Sequence, residues 1–476
     1  MTTANETEDT DTAPTGALPP FSNVEHKKPL RIKTLVENLT TLTDGWPVSV
    51  GRAPGAKGML VTPDGDGFAA LDDIDDLIEW LDDYAPVRWE SRMAGARTKG
   101  AFCAAVTRRV KNYEWAALTP HYPRKLPNVL YTRSRAKPNA TGALAALIDR
   151  FAPATPIDRT LLTAYTLTPF WSGPPGRRPP FLFTGKTNAD GTGIGKTTTI
   201  EVLADLVGGA VTIDGTERKR VIEALLAPSA MWQRVALLDN VAGDRYGSDR
   251  IESLITARNV DGHRLHHGRA TRPNYLTWAI SANDPAFSHD LSGRVVPITL
   301  DRPKASAQWY AETAKLIRDT RAEIEADVAA IFATEPKAVV QVDRWPEWGA
   351  EVLGRLDKPE AVLKMIAERR VTVDADDRDR TDVVAAIRAH LEREYPNADL
   401  DAKRIRISML EAVAWLRTVF HGETQRQLEH RLHRAHSPRL RPAKTKKQRV
   451  VWWEGASTTD DTTPVTRIYV APAPGK

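Results

Sequence analysis

The sequence predicts an α/β protein of several domains, and three observations carry that prediction. An apolar run, Phe181-Leu182-Phe183, leads through a glycine-rich polar stretch from Gly185 to Gly195 into residues with helical spacing from Thr197 onward. Downstream, strand-like apolar runs end in polar groups: Val235 to Asn240, Tyr275 to Ser281 with Ala282-Asn283-Asp284 after it, and Val295 to Ile298. Near the C-terminus a helix, a turn and a basic helix precede basic, strand-like residues. At 476 residues the chain suggests about three domains.

Composition sets bounds. Hydrophobic residues are 41% and charged residues 27% of the chain, a balance that supports a sizeable core in a soluble protein. The net charge of +5 is modest, but a pI near 9.1 beside an acidic N-terminal stretch means that basic residues are concentrated elsewhere. Cys103 is the sole cysteine, which excludes an intramolecular disulfide and a cysteine-based zinc site and suits a reducing cytoplasm. No apolar stretch approaches a membrane span, and MTTANETEDTDTAPTG is acidic where a signal peptide is basic and then apolar, so a cytoplasmic protein with no membrane partner is expected.

Taken in order, residues 1–24 have the composition of a disordered tail. Residues 25–150 read as an α+β accessory domain, with strand-like pieces at Trp46 to Val50 and Met59 to Val61. Leu71 to Tyr84 carries Leu71, Ile74, Leu77, Ile78 and Leu81 at helical spacing with acids between them. Such acids form a solvated helix face and Asp64-Gly65-Asp66 a turn; a metal-binding carboxylate set is the rival. Basic and aromatic residues recur from Arg108-Arg109 through Lys111, Tyr113, Trp115, Tyr122, Arg124 and Lys125 to Tyr131, Arg133 and Arg135. Nucleic-acid binding explains them, and so do surface arginines over core aromatics. Ala140 to Arg150 reads as a helix, and Pro153 to Pro180 as a helical connector into a core over residues 151–302.

Strand, glycine loop and helix is the setting of a phosphate-binding loop. Gly191, Gly193 and Gly195 leave backbone N–H groups free to surround phosphate oxygens at a helix N-terminus. Lys196 would reach the β- and γ-phosphates, Thr197 would put its hydroxyl on Mg²⁺, and Thr198 would complete the nucleotide contacts. The strict spacing wants glycine at position 190, where this chain has Asp190, so the loop is longer and opens at Gly185. Asp239 ends an apolar strand, where a carboxylate holds Mg²⁺-bound water. ATP and Mg²⁺ are therefore the expected cofactors, with Thr197 and Asp239 as metal ligands. The next residue is Asn240, whose amide orients water but cannot take its proton, so hydrolysis is slow or borrows a group such as Asp244. Asn283 would sense the γ-phosphate, and Arg294 would serve a neighbouring subunit's nucleotide.

From Phe181 to Pro303 the order and spacing resemble the superfamily 3 helicases of the AAA+ class, found in small DNA viruses, phages and plasmids, and among them the primase-helicase-like replication ATPases of phages and mobile elements. The residues that carry the resemblance are Gly195-Lys196-Thr197, Leu238-Asp239-Asn240, Ser281-Ala282-Asn283, the segment Thr256 to Asn274, and Asp290 to Arg294, about a quarter of the chain. The resemblance implies a P-loop AAA+ core that assembles as a homo-hexamer around single-stranded DNA, with Asp239, Asn240, Asn283 and Arg294 as the catalytic set. It also implies a hairpin in the channel, formed by the segment that supplies His263, Arg264, His266, His267, Arg269 and Arg272. Its basic character fits phosphate tracking; a bland loop and a histidine metal site are the rivals.

Residues 303–400 read as helical, with a long helix from Trp309 to Phe332, a boundary at Trp345-Pro346-Glu347-Trp348, and the acidic run Asp374 to Asp379 as a solvated loop. In residues 401–456, Ile407 to Phe420 reads as a helix with Leu410, Val413, Leu416 and Val419 on one face. After a turn at His421-Gly422, Thr424 and Gln427 open a second helix with capping-box spacing. That helix would bury Leu428, Leu432 and Ala435 and present Arg426, Arg431 and Arg434. Basic residues including Lys444, Lys446 and Lys447 then lead into Val450-Val451-Trp452-Trp453. This is the signature of a winged helix-turn-helix that grips duplex DNA, with a charged tail or an ATPase lid as rivals; residues 457–476 form a tail. The expected function is ATP-driven translocation on DNA during replication of a phage, plasmid or integrated element. Three rivals stand beside it: an ATP-gated initiator or platform that unwinds nothing, a primase-helicase with priming chemistry in residues 30–150, and an anti-phage defence ATPase.

Overall fold

A computed structural model describes residues 20–52, 58–186, 195–215, 220–241, 246–247, 249–264, 268–283, 285–301, 308–338, 340–394, 396, 400, 404–435, 440–444 and 449–454. In the N-terminal part, α1 (Ile32–Leu42) buries Leu35, Val36 and Leu39. It is followed by β1 (Val48–Val50), β2 (Met59–Asp64), β3 (Gly67–Leu71), α2 (Ile74–Asp82), α3 (Lys99–Arg109) and β4 (Asn112–Tyr113). The strands form a sheet of order β3-β2-β1-β4, antiparallel except where β4 runs parallel to β1. Asp64 pairs with Gly67 across a two-residue turn in which Gly65 has φ 52°, a region where glycine carries no steric penalty. Asp73 and Asp76 form a capping box at the start of α2, so acids of this stretch cap and solvate the helix while Leu77 and Leu81 are buried.

A parallel pair, β5 (Trp115–Ala117) with β6 (Val129–Tyr131), and two helices, α4 (Ala143–Asp149) and α5 (Pro156–Leu167), lead to the central sheet. That sheet contains β7 (Phe181–Gly185), which precedes α6 (Lys196–Ala204), then β8 (Ala210–Asp214), α7 (Val221–Leu225), β9 (Val235–Val241) and α8 (Asp249–Thr256). An antiparallel hairpin, β10 (Asn259–Arg264) with β11 (Gly268–Pro273), precedes β12 (Thr277–Ala282), the short α9 (His289–Ser292) and β13 (Val296–Leu300). All five central strands are parallel, in the order β8-β9-β12-β7-β13, so their carboxyl ends share one edge. Residues such as Phe181, Leu237 and Ile280 are fully buried, as continuous apolar runs in a covered parallel sheet require.

The hydrophobic core that contains Val61, Phe68 and Ala116 is continuous with the one that contains Phe183, Leu237 and Ile280, so two cores do not meet at residue 150. A smaller core unites Leu35, Leu60 and Phe102, and a separate one lies in the C-terminal part. After β13 come α10 (Trp309–Ala333), α11 (Pro346–Glu351), α12 (Pro359–Val373) and α13 (Ala375–Glu394). The acidic run 374–379 is thus a helix junction, not a loop. Asp374 is buried, accepts a hydrogen bond from Ser292 Oγ at 2.8 Å and lies 2.7 Å from His289 Nδ1, which ties this junction to α9. A carboxylate in the interior needs such partners to offset the cost of its desolvation.

The C-terminal part holds β14 (Arg404–Ser408), α14 (Met409–Arg417), α15 (Gln425–Arg434), β15 (Leu440–Lys444) and β16 (Arg449–Glu454), with an antiparallel sheet of order β14-β16-β15. Ile407 belongs to β14, and the helix starts later, at Met409, behind a Ser408–Glu411 capping box. The expected apolar face is also corrected: Val413 and Leu416 are buried, but Leu410 and Val419 are exposed. Steps of three residues lag a helix of 3.6 residues per turn by about 60° each, so the ends of that series fall on opposite sides. Met409, Ala412, Val413 and Leu416 form the buried face instead. The second helix has its Thr424–Gln427 capping box and buries Leu428, Leu432 and Ala435. Among the described residues no helix is long and apolar enough to cross a membrane.

Candidate nucleotide site and nucleic-acid interface

The parallel sheet brings one set of predicted residues together at its carboxyl edge. β12 lies between β7 and β9, so the residue just past β12 faces the start of α6, which follows β7. Lys196 is the first residue of α6 and donates to Asn283 Oδ1 at 2.6 Å. Thr197 Oγ1 donates to Asp239 Oδ1 at 2.7 Å and lies 3.2 Å from Ser281 Oγ. Gly195, at φ 80°, supplies the left-handed turn into the helix, and Thr199 N donates to its carbonyl at 2.8 Å. Thr198 is half-buried beside them. Ser281 was not among the predicted site residues; its place two residues before Asn283, at the polar end of the same apolar run, was the signal that could have found it.

Burial and neighbouring carboxylates shape the charges of this group. Burial pushes the Lys196 ammonium below its ordinary value, and the Asp239 carboxylate opposes that shift. Glu201, one turn further along α6, is raised first by burial and then by the charges of Asp239 and Asp205. One carboxylate and a hydroxyl that touches it are hard oxygen donors, a set that fits Mg²⁺ shared with phosphates and water and does not fit a soft-ligand metal. Thr197 and Asp239 are the residues that would hold it.

Asn240 follows Asp239 at φ 53°, exposed, where the pairing of β9 with β12 shifts register between Leu238 and Val241. Asparagine is among the few non-glycine residues that adopt this conformation readily. Arg294 stands apart from the Lys196 group. It pairs with Asp290, donates to the Glu252 carbonyl at 3.1 Å, and is mostly buried against its own chain. Gly191 and Gly193 lie outside the described residues.

The predicted hairpin exists, with His263 opposite Arg269 and both exposed. Arg264 pairs with Gly268 in the backbone register, while His266 and His267 fall outside the described residues. Arg272 is a correction. It is fully buried at the hairpin base, where it donates to the carbonyls of Leu225 at 3.3 Å, Ala230 at 2.6 Å and Gln233 at 2.7 Å. It belongs to a buried cluster with Arg178 and Arg234 around Trp115, which stacks on Tyr275 at 5.3 Å. Burial lowers these guanidinium groups, to about 9 for Arg178 and Arg272 and about 10 for Arg234, so all three stay cationic at neutral pH.

In the C-terminal part Arg426 is exposed. Arg431 instead grips Glu423, with Nη2 2.6 Å from Oε1, and packs over the Phe420 ring at 4.5 Å. Arg434 lies in α15 and Lys444 in β15, and Lys446 and Lys447 fall outside the described residues.

No protein-family model matches the chain, and no curated protein matches it. Among solved structures it aligns with the apo structure of the NrS-1 C terminal region, at 12% identity and TM-score 0.46, over 87% of this chain and 97% of that one. The A form apo structure of the same region aligns with the same TM-score, 0.46, at 11% identity over 87% and 97% of the two chains. The X-ray structure of JCV Helicase aligns at 16% identity and TM-score 0.24, over 49% of this chain and 65% of that one.

Proposed function

We propose that this protein is an ATP-dependent DNA translocase that acts as a ring in replication of a phage, plasmid or mobile element. The observation that carries this reading is the convergence of Lys196, Thr197, Asp239, Ser281 and Asn283 at the carboxyl edge of a parallel sheet. Lys196 binds β- and γ-phosphate oxygens, Asn283 releases Lys196 to them, and Thr197 with Asp239 holds Mg²⁺. Bound Mg²⁺ neutralises phosphate charge. His263 and Arg269 on the hairpin contact the DNA strand, and α15 with the β14-β16-β15 sheet acts as a winged helix on duplex DNA. Arg294 reaches a neighbour's nucleotide only after leaving Asp290, so assembly and activity are linked in this scheme.

Asn240 favours a second reading, an ATP-gated platform that binds DNA but turns over little, because its amide cannot accept a proton from water. Steady-state ATP hydrolysis with and without single-stranded DNA separates the two. Strong stimulation that disappears in Lys196→Ala supports the motor, and intact ATP and DNA binding with negligible turnover supports the platform.

A further inference from the structure

The basic and aromatic run between Arg108 and Arg135 is sorted by the fold into two kinds of residue. Trp115 and Tyr122 are buried, Arg133 sits 3.7 Å from Glu325, and Arg135 stacks over Tyr122 at 4.7 Å. These hold the structure together. Arg108, Arg109 and Lys111 are exposed instead, and among the described residues none of them makes an ion pair. Two of them end α3, where the helix dipole favours a cation. That explains Arg108 and Arg109 as isolated charges, but it explains neither Lys111 nor where the three cations stand.

The segment that carries Lys111 and Tyr113 is tied to β1 and its following residue Gly51, and Gly51 in turn lies against the hairpin. The Lys111 carbonyl accepts from Ser49 N at 2.8 Å and the Tyr113 carbonyl from Gly51 N at 2.9 Å. Gly51, at φ 72°, approaches β11 so closely that a Cβ there would lie 3.2 Å from the Thr271 carbonyl oxygen. Two residues along β11 is Arg269, exposed and opposite His263. At about 3.3 Å per residue, Arg269 is roughly 7 Å along its strand from Thr271, and Lys111 directly precedes β4. Lys111 Nζ stands 4.8 Å from the ring centre of half-buried Tyr113, which pairs a cation with an aromatic face.

We propose that Arg108, Arg109 and Lys111, with Tyr113, form a second contact for a single-stranded phosphodiester chain, continuous with the hairpin. The N-terminal part then holds the strand that the hairpin moves. This rests on the DNA-translocase reading. Exposed cations beside an aromatic face suit single strands, whose phosphates and bases are both accessible.

The test is the salt dependence of binding of fluorescent single-stranded and duplex oligonucleotides to the whole chain, for the wild type, the Arg108→Ala/Arg109→Ala/Lys111→Ala variant and Arg269→Ala. Each lost single-strand phosphate contact reduces the log–log salt slope by about 0.7. The triple variant should therefore lose about 2 from the slope and on the order of tenfold or more in affinity at low salt, with an unchanged melting temperature. Wild-type slope and affinity in the triple variant, with weakened binding in Arg269→Ala, would overturn the second contact and leave the translocase reading standing. Loss of duplex binding alone would overturn the single-strand assignment. A wild-type protein that binds no single strand would overturn both.

Discussion

Arg272→Met removes a guanidinium that donates to three backbone carbonyls, those of Leu225, Ala230 and Gln233, and that lies 5.5 Å from the centre of the Trp115 ring. The Ala230 carbonyl keeps a donor, Gln233 N at 3.1 Å, so at most two carbonyls, those of Leu225 and Gln233, lose theirs. Each carbonyl left without a donor in the interior costs about 1–3 kcal/mol, a gross loss of roughly 2–6 kcal/mol. Methionine recovers part of this because a buried charge no longer has to be desolvated. A net destabilisation of about 1–3 kcal/mol remains. For a cooperative unit of 150–250 residues each kcal/mol lowers the melting temperature by about 2–4 °C, so a fall of roughly 2–12 °C is expected. Thermal melting followed by circular dichroism reads this, alongside oligonucleotide affinity at fixed salt. The result that refutes the reasoning is a wild-type melting temperature together with a salt slope reduced by about 0.7, the mark of an arginine that contacts phosphate.

Two further outcomes follow from the same geometry. Asn240→Asp keeps the side-chain shape at φ 53° and adds a proton acceptor. DNA-stimulated ATP turnover should rise on the order of 10²-fold, the lower end for a general base, with ATP affinity little changed in equilibrium titration; unchanged turnover would show that another group already takes the proton. His121 is held well below its ordinary value, by burial first and then by the charges of Arg234 and Arg178, so the folded ring stays neutral. Below pH about 6.5 the unfolded chain binds a proton that the folded one does not, and stability falls as pH drops, by up to about 1.4 kcal/mol per pH unit. Melting temperatures between about pH 5 and 7.5 should therefore fall more steeply for the wild type than for His121→Gln; parallel curves would mean that His121 does not titrate differently in the two states.

Much of the central sheet was legible because its strands are short apolar runs with polar residues at their carboxyl ends. Val235 to Asn240 and Tyr275 to Asn283 needed no tertiary information to be read. The Lys196 group was legible for the same reason: parallel strands put their ends on one edge, so residues distant in sequence meet there. The cluster of Arg178, Arg234 and Arg272 was not. A charged residue counts as surface in any pattern of polarity, and although Arg178 is met by the nearby Trp171 and Gly173 carbonyls, the groups that compensate Arg234 and Arg272 come from segments far apart in the chain. Asp374 was hidden likewise, since its acidic neighbours suggested solvent and its partners lie on α9. The helix after Ser408 was misread by about two residues, because Ile407 continues an apolar series whose period of three imitates a helical face.

Calorimetric titration of Mg·ATP into the wild type, Lys196→Ala and Asp239→Asn bears straight on the nucleotide site. The wild type should bind, Lys196→Ala should lose measurable affinity, and Asp239→Asn should bind ATP with its Mg²⁺ dependence abolished. Equal binding by the wild type and Lys196→Ala would contradict the assignment of this edge of the sheet as the nucleotide site.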